Sequence, residues 1–243
     1  MEREIFVVGD IHGCIDEFNE LLKVISFNKE NTRLISAGDL VDRGPDPVGC
    51  LRKAQELNIE CVRGNHEDKA YRWMKHYNKC LISGEKHPMK NINDKTRNEY
   101  LSMTEDDLNF IKRMPTAISL DPVNKWIVVH AGVEPRVPFK KQVDNQLMRV
   151  RYVDERGYAI SLNSDKSQPK GTKYWAELWD NEESFIFGHN VFKEPTFFKR
   201  KDSEKYVGVG IDTGCCYGNA LTAIRYPSLE VIQVKAKQVY YTK

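Results

Sequence analysis

The 243-residue chain reads as an α/β protein on three observations. Short apolar runs alternate with amphipathic helical segments through the first third. Strand-like runs dominate the last third, and glycine-flanked polar clusters follow the early strands. Residues 5–8 form a buried strand, after which Ile15, Phe18, Leu21, Leu22 and Ile25 recur at helical spacing. Residues 34–37 form the second strand. Asp46 then offers a capping side chain, and Pro47 suits the first helical position. The helix so opened turns Val48, Leu51, Ala54 and Leu57 inward. Residues 59–62 form a third strand, and a helix runs from 67 to about 76. This β-α-β-α-β-α order implies parallel strands with helices packed outside.

Residues 78–103 are polar, with scattered Lys, Asn and His and little periodicity, and read as an insertion or lid. Thr104-Glu-Asp-Asp107 resembles a capping box with Asp in place of Glu, ahead of Leu108, Ile111 and Met114. Further strands are expected at 126–129, 185–187, 207–211, 221–224 and 231–234. The charged stretches 163–171 and 193–205 read as exposed loops. No repeat, low-complexity tract or linker divides the chain, so residues 1–243 are expected to be one domain, long enough to bury a full core.

Thirty-seven Lys+Arg against 35 Asp+Glu leave a net charge of +2, which argues against a dedicated DNA-binding protein and an acidic tail. A chain that is 40% hydrophobic and 10% aromatic is neither disordered nor fibrous. No apolar run approaches the roughly 20 residues that span a bilayer. The start of the chain turns polar at Gly9-Asp10, too soon for a signal peptide. Cys14, Cys50, Cys61, Cys80, Cys215 and Cys216 form no C-x-x-C pair, which fits reduced thiols and a cytoplasmic location.

The chemistry gathers where three early strands end. The clusters are Gly9-Asp10-Ile11-His12-Gly13, then Gly38-Asp39-Leu40-Val41-Asp42-Arg43-Gly44, then Arg63-Gly64-Asn65-His66-Glu67. Ligands in open α/β sheets collect beyond the carboxyl ends of strands, so the clusters should meet in space. His130 and His189 also follow expected strands. Any one of these residues alone would be an ordinary helix cap or buried histidine, but three acid-imidazole-amide sets at three strand ends have no comparable structural explanation. Oxygen and imidazole donors without thiolates suit Mn, Fe, Zn or Mg. Other motifs fail on spacing: Ala70 breaks a zinc-protease helix after His66-Glu67, and Thr213 replaces the third glycine of a dinucleotide fingerprint.

At these positions the sequence resembles the calcineurin-like metallophosphoesterases over residues 5 to about 234. Asp42-Arg43-Gly44 with Arg63-Gly64-Asn65-His66-Glu67 looks like the serine/threonine phosphoprotein phosphatase branch. His130-Ala131-Gly132 and the tail from Ile211-Asp212-Thr213-Gly214-Cys215 to Leu221-Thr222 are similar to symmetrical diadenosine tetraphosphatases. The resemblance implies two mixed β-sheets packed face to face with flanking helices. It implies two divalent ions, with Mn²⁺ expected and Fe, Zn, Ni, Co or Mg as alternatives. Asp10 and His12 would hold the first ion, Asp39 both, and Asn65, His130 and His189 the second. Two such ions about 3.5–4 Å apart acidify a water between them and align phosphate oxygens for in-line attack. His66 would protonate the leaving oxygen, and Asp42 would orient it and keep it cationic. Arg43, Arg63 and Arg151 would grip phosphate oxygens in a forked geometry, with Arg149 the other candidate for the third position.

The expected activity is symmetrical hydrolysis of a dinucleoside polyphosphate such as diadenosine tetraphosphate. A serine/threonine phosphoprotein phosphatase is the alternative, and a non-catalytic metal-bound scaffold a third reading. Small nucleotides or phosphoproteins are thus the expected partners. Around the site, Tyr71, Trp73, His76 and Tyr77 offer rings that either stack a base or form a helix's core face. Lys193, Lys199, Arg200, Lys201 and Lys205 around Phe197-Phe198 offer either a polyanion-binding loop or a solvated one. Cys14 lies beside the first cluster, where packing is the expected role.

Overall fold

A computed structural model describes residues 3–89, 91–164 and 167–242. Asp165 and Lys166, inside the expected 163–171 loop, and Lys90, inside 78–103, lie outside the described residues. The first half runs β1 (Glu4–Val8), α1 (Ile15–Val24), β2 (Thr32–Ser36), α2 (Pro47–Glu56), β3 (Glu60–Cys61) and α3 (Asn65–Ser83). Next come α4 (Asp94–Leu101), α5 (Glu105–Arg113), β4 (Ala117–Asp121), β5 (Trp126–Val129) and α6 (Asp144–Leu147). Three two-residue strands follow, β6 (Tyr152–Val153), β7 (Ala159–Ile160) and β8 (Lys173–Tyr174). The chain closes with β9 (Ser184–Phe187), β10 (Thr196–Lys199), β11 (Tyr206–Gly210), β12 (Ala220–Tyr226) and β13 (Glu230–Lys235).

These strands form two five-stranded mixed sheets, ordered β13-β12-β1-β2-β3 and β10-β11-β9-β5-β4, and a small sheet β7-β6-β8. β1, β2 and β3 run parallel, as expected, and β5, β9 and β11 repeat that arrangement in the second sheet. Val7, Ile35 and Val62 from the first sheet are buried with Val128, Ile186 and Val209 from the second, so the sheets pack face to face. A separate core lies under the helices, where Phe6, Phe18, Leu51 and Ile111 are fully buried. A third, around Trp175, Phe185 and Phe187, lies under α6 and the small sheet, so this outer layer is not built from long helices. Burial of each such side chain contributes about 1.5–3 kcal/mol.

The helix starts follow the sequence signals. Asp46 Oδ1 accepts from Gly49 N at 2.8 Å, and Thr104 with Asp107 forms the capping box. α3 runs past the expected end near 76 to Ser83. Nothing stops it before Gly84, which closes the helix at φ 71°. The 193–205 stretch is a correction: it holds strand β10, an edge strand paired with β11, not simply a loop. Phe198 stacks on Tyr174 with centroids 5.2 Å apart, which packs the strand against the small sheet.

Candidate active site

Every expected metal ligand lies just past a strand. β1 leads to Asp10 and His12, β2 to Asp39 and β3 to Asn65, while β5 and β9 of the second sheet lead to His130 and His189. Backbone bonds stitch these loops together. His12 N donates to Asp39 O at 2.8 Å, Gly13 N to Leu40 O at 2.9 Å, and Gly188 N to His130 O at 2.9 Å. His189 N donates to Asp10 Oδ1 at 3.0 Å, which joins the second sheet's loop to the first's.

Glu67, fully buried in the first turn of α3, organises the middle of the site. Its Oε2 accepts from Asp39 N at 2.8 Å and Gly64 N at 3.0 Å, and its Oε1 from Leu40 N at 2.8 Å and Val41 N at 3.1 Å. Its position three residues after the cap Gly64 was the signal for this role, which the sequence reading did not assign. These bonds hold strained backbone. His12, Asp39, Asp42, Arg43 and His189 are five of the ten non-glycine residues with positive φ among the described residues. Such conformations cost about 1–3 kcal/mol each and persist only where surrounding contacts dictate them. Gly38, at φ 95°, must be glycine for a second reason: a Cβ there would meet His130 Nδ1 at 2.9 Å.

The donor atoms fit cations. His12 Nδ1 lies 2.8 Å from Val41 O, and His130 Nδ1 lies 2.8 Å from Ala37 O. A carbonyl only accepts, so each Nδ1 carries a proton and each Nε2 presents its lone pair. His130 Nε2 faces Asn65 Oδ1 at 3.1 Å and Asp39 Oδ2 at 3.3 Å, so acceptors converge there on one point. Burial pushes the His130 pKa down, but the Asp39 carboxylate outweighs it and the net shift is upward. Positive charge is what this point favours. Asp39 Oδ2 also lies 3.6 Å from His12 Nε2, and Asp10 Oδ2 lies 3.9 Å from the same nitrogen. His12, Asp39 and His66, and likewise Asp39, His130 and His189, bring ligand atoms within 4.8 Å of one another, with Asp39 common to both groups. Burial and the neighbouring Asp212 and Asp39 push the Asp10 carboxyl well up, a repulsion that a cation would relieve. Asp212, itself buried, was visible in the sequence only as part of the tail motif.

Beside the shared carboxylate, His66 Nδ1 lies 2.5 Å from Asp42 Oδ2, and Lys69 Nζ donates to the same oxygen at 3.0 Å. Burial would raise the Asp42 pKa, but the His66 hydrogen bond and the charges of His66 and Lys69 hold it well below the usual carboxylate range. Arg43 places Nη1 2.6 Å from His12 Nε2 and Nη2 3.1 Å from His66 Nε2. Arg151 donates to Asn190 Oδ1 at 2.7 Å, next to His189, whose pKa is lowered by burial and by the Arg151 charge. Arg149 instead pairs with Asp68 at 2.6 Å. Arg63 does not join the group. Its guanidinium donates to Ile111 O at 2.9 Å and Lys112 O at 2.6 Å, at the end of α5.

Two further clusters have their own partners. Cys14, Glu17 and Cys215 bring donor atoms together, but Glu17 Oε1 already accepts from Lys237 N and Tyr240 Oη, each at 2.8 Å. The bond to Cys14 and burial push the Cys215 thiol up, and burial pushes Cys216 up to about 12, which favours packed, protonated thiols. In the basic loop, Lys199 pairs with Glu204 at 2.6 Å and Arg200 donates to Glu182 O and Glu183 O.

Two face-to-face sheets with buried His/Asp clusters at the strand ends define a metal-dependent phosphoesterase. The chain belongs to the calcineurin-like phosphoesterase family, whose profile matches residues 4–208. It is a hydrolase of phosphate esters or anhydrides, and the family implies divalent metal ions. The chain is 29% identical over 257 residues to the asymmetrical bis(5'-nucleosyl)-tetraphosphatase PrpE of Oceanobacillus iheyensis, covering 98% of this chain and 94% of that one. It is 27% identical to PrpE of Bacillus subtilis, covering 96% and 95%. A crystal structure provisionally assigned as a diadenosine tetraphosphatase superposes with a TM-score of 0.76 at 26% identity, covering 97% and 95%. Among the described residues, no helix is long and apolar enough to cross a membrane.

Proposed function

We propose that this protein hydrolyses dinucleoside polyphosphates of the diadenosine tetraphosphate class with two Mn²⁺ ions. The observation that carries the chemistry is the pair of buried Asp42 and partly exposed His66 standing beside Asp39, the carboxylate common to both ligand groups. The substrate class is supported by relatives that match almost end to end. Asp10, His12 and Asp39 would hold one ion, and Asp39, Asn65, His130 and His189 the other. When bound, the ions supply positive charge that acidifies water and polarises phosphate oxygens.

The chain's own residues do the rest. Asp42 accepts the His66 Nδ1 proton and fixes the ring, so Nε2 is the atom that delivers a proton to the departing phosphate oxygen. Arg43 lies against His66 and His12, where its fork can grip the non-bridging oxygens of the phosphoryl group. Arg151 approaches from the His189 side, opposite in the sequence but adjacent in the fold. Arg63 is left out of this set because backbone carbonyls occupy it.

The sequence motifs favour the symmetrical cut, through His130-Ala131-Gly132 and the tail, whereas the relatives carry the asymmetrical one in their names. We adopt the asymmetrical cut. Metal-stripped protein is incubated with diadenosine tetraphosphate or a phosphothreonine peptide, with and without Mn²⁺. Mn²⁺-dependent ATP and AMP is the expected outcome, and ADP alone would establish the symmetrical cut. Phosphate released from the peptide at higher kcat/KM would move the protein to the phosphoprotein branch. No turnover of either, with two metals bound, would favour the scaffold.

A further inference from the structure

We infer that the cavity between α3 and α4 is a subsite for the planar base of a nucleotide, an inference that rests on the dinucleotide reading above. The cavity offers about 470 Å³, within the roughly 300–1,000 Å³ of small-molecule sites. Its wall is a stack of rings. Tyr77 lies nearly parallel to Trp73, 11° and 5.2 Å away, and His87 lies at 28° and 4.9 Å. Trp73 is buried in that stack, while Tyr77 and His87 are partly exposed and line the space.

The His87 ring is already satisfied at its edge. Nε2 donates to Trp73 O at 3.0 Å, and Nδ1 accepts from Met89 N at 3.2 Å. With both nitrogens engaged and one face against Trp73, what the ring still offers is its other face. Met89 and Ile92 add apolar edges, and Asp94 and Arg97 supply polar groups at the rim. A flat heterocycle with a hydrogen-bonding edge matches this surface, since every base has a π-face to stack.

Two helices tie the cavity to the candidate active site. Asn65, Lys69, Trp73 and Tyr77 are spaced four apart, so a stripe of successive neighbours, turning about 40° at each step, leads along α3 from a metal-ligand position to the ring stack. Lys69 binds Asp42 at 3.0 Å and lies 5.6 Å from the Tyr100 ring, which in turn lies 5.7 Å from Trp73. Lys95, between Asp94 and Arg97, donates to Arg43 O at 2.9 Å and Gly44 O at 2.8 Å. The same helix therefore borders the cavity and the phosphate-binding loop. A dinucleotide with its phosphates at Arg43 has a place for one base here.

The test uses adenosine, which carries no phosphate, so it reports on the cavity separately from the metal site. Calorimetry on the Mn²⁺-loaded protein should show binding that Tyr77→Ala and His87→Ala each weaken about tenfold, the scale of one stacked base, and that Tyr77→Phe retains. In parallel, the ratio of kcat/KM for diadenosine tetraphosphate to that for p-nitrophenyl phosphate should fall about tenfold in both alanine variants, mainly through KM. Failure to bind adenosine, or binding that neither alanine variant weakens, overturns the subsite even if the dinucleotide is cleaved. Binding with the expected losses supports the subsite even if the dinucleotide is not cleaved, in which case the function reading alone fails.

Discussion

His66 is useful only because of what holds it. Its backbone N–H donates to Asp39 Oδ1 at 3.0 Å, its Nδ1 faces Asp42, and its Nε2 faces Arg43. Replacing it with asparagine removes the proton donor but none of the expected metal ligands. His66→Asn should therefore lower kcat by about 10²–10⁴-fold, the usual scale of general acid catalysis, with metal content by elemental analysis unchanged. A wild-type rate would remove His66 from that role. The two motif arginines should separate in the same way. Arg43→Ala should act chiefly on kcat/KM, whereas Arg63→Ala takes a donor from the Lys112 carbonyl and leaves Ile111 O only its bond from Met114 N, and should lower stability by about 0.5–1.5 kcal/mol. Equal Tm values for Arg63→Ala and wild type would contradict the structural role. The donor types were legible in the sequence because their chemistry is local to each motif. Which arginine remains available was not, since the competing carbonyls come 48 and 49 residues later.

At the scale of elements, starts were more legible than ends. Asp46-Pro47 and Thr104 with Asp107 are signals carried in a few neighbouring residues, and both open helices as read. The end of α3 depends on Gly84, inside the polar 78–103 stretch that masked it, and two-residue strands such as β6 to β8 carry no period to read. The start of α5 also has a pH dependence. Burial raises the Asp107 pKa, but hydrogen bonds from Arg52 and from Thr104 outweigh it, so the folded value is depressed. A depressed carboxylate contributes stability above its unfolded pKa, about 3.9, and loses it as pH falls through the folded value. Asp107→Asn should therefore cost about 1–2 kcal/mol at pH 7, discounted because Arg52 is half exposed, and the gap to wild type should close below pH 4. Urea titrations across pH 3–7 would read this, and a gap independent of pH would show that the charge contributes nothing.

The whole molecule brings its candidate ligands from both sheets to one edge. Asp10, His12, Asp39 and Asn65 follow strands of the first sheet, and His130 and His189 follow strands of the second. Between the sheets the contact is apolar and non-directional, through residues such as Val7, Val128 and Ile186. At the edge it is polar and directional, through the bond from His189 N to Asp10 and the approach of His130 to Asp39. Cations bound there would join the sheets by a second means, because they ligate groups from each. Without them, Asp10 and Asp39 confront each other in a buried space with Asp212 close by, a repulsion that opposes packing at this edge. Any ligand that binds only the folded state stabilises it by RT ln(1 + [L]/Kd), about 2.7 kcal/mol at 100 times Kd. For a domain of this size each kcal/mol moves Tm by about 2–4 °C, so restoring Mn²⁺ to chelated protein should raise Tm by about 5–10 °C. In Asp39→Asn, which removes the shared carboxylate from both ligand groups, most of that rise should disappear. Scanning calorimetry of the two proteins with and without Mn²⁺ decides it, and equal shifts in both would mean that the ions bind elsewhere.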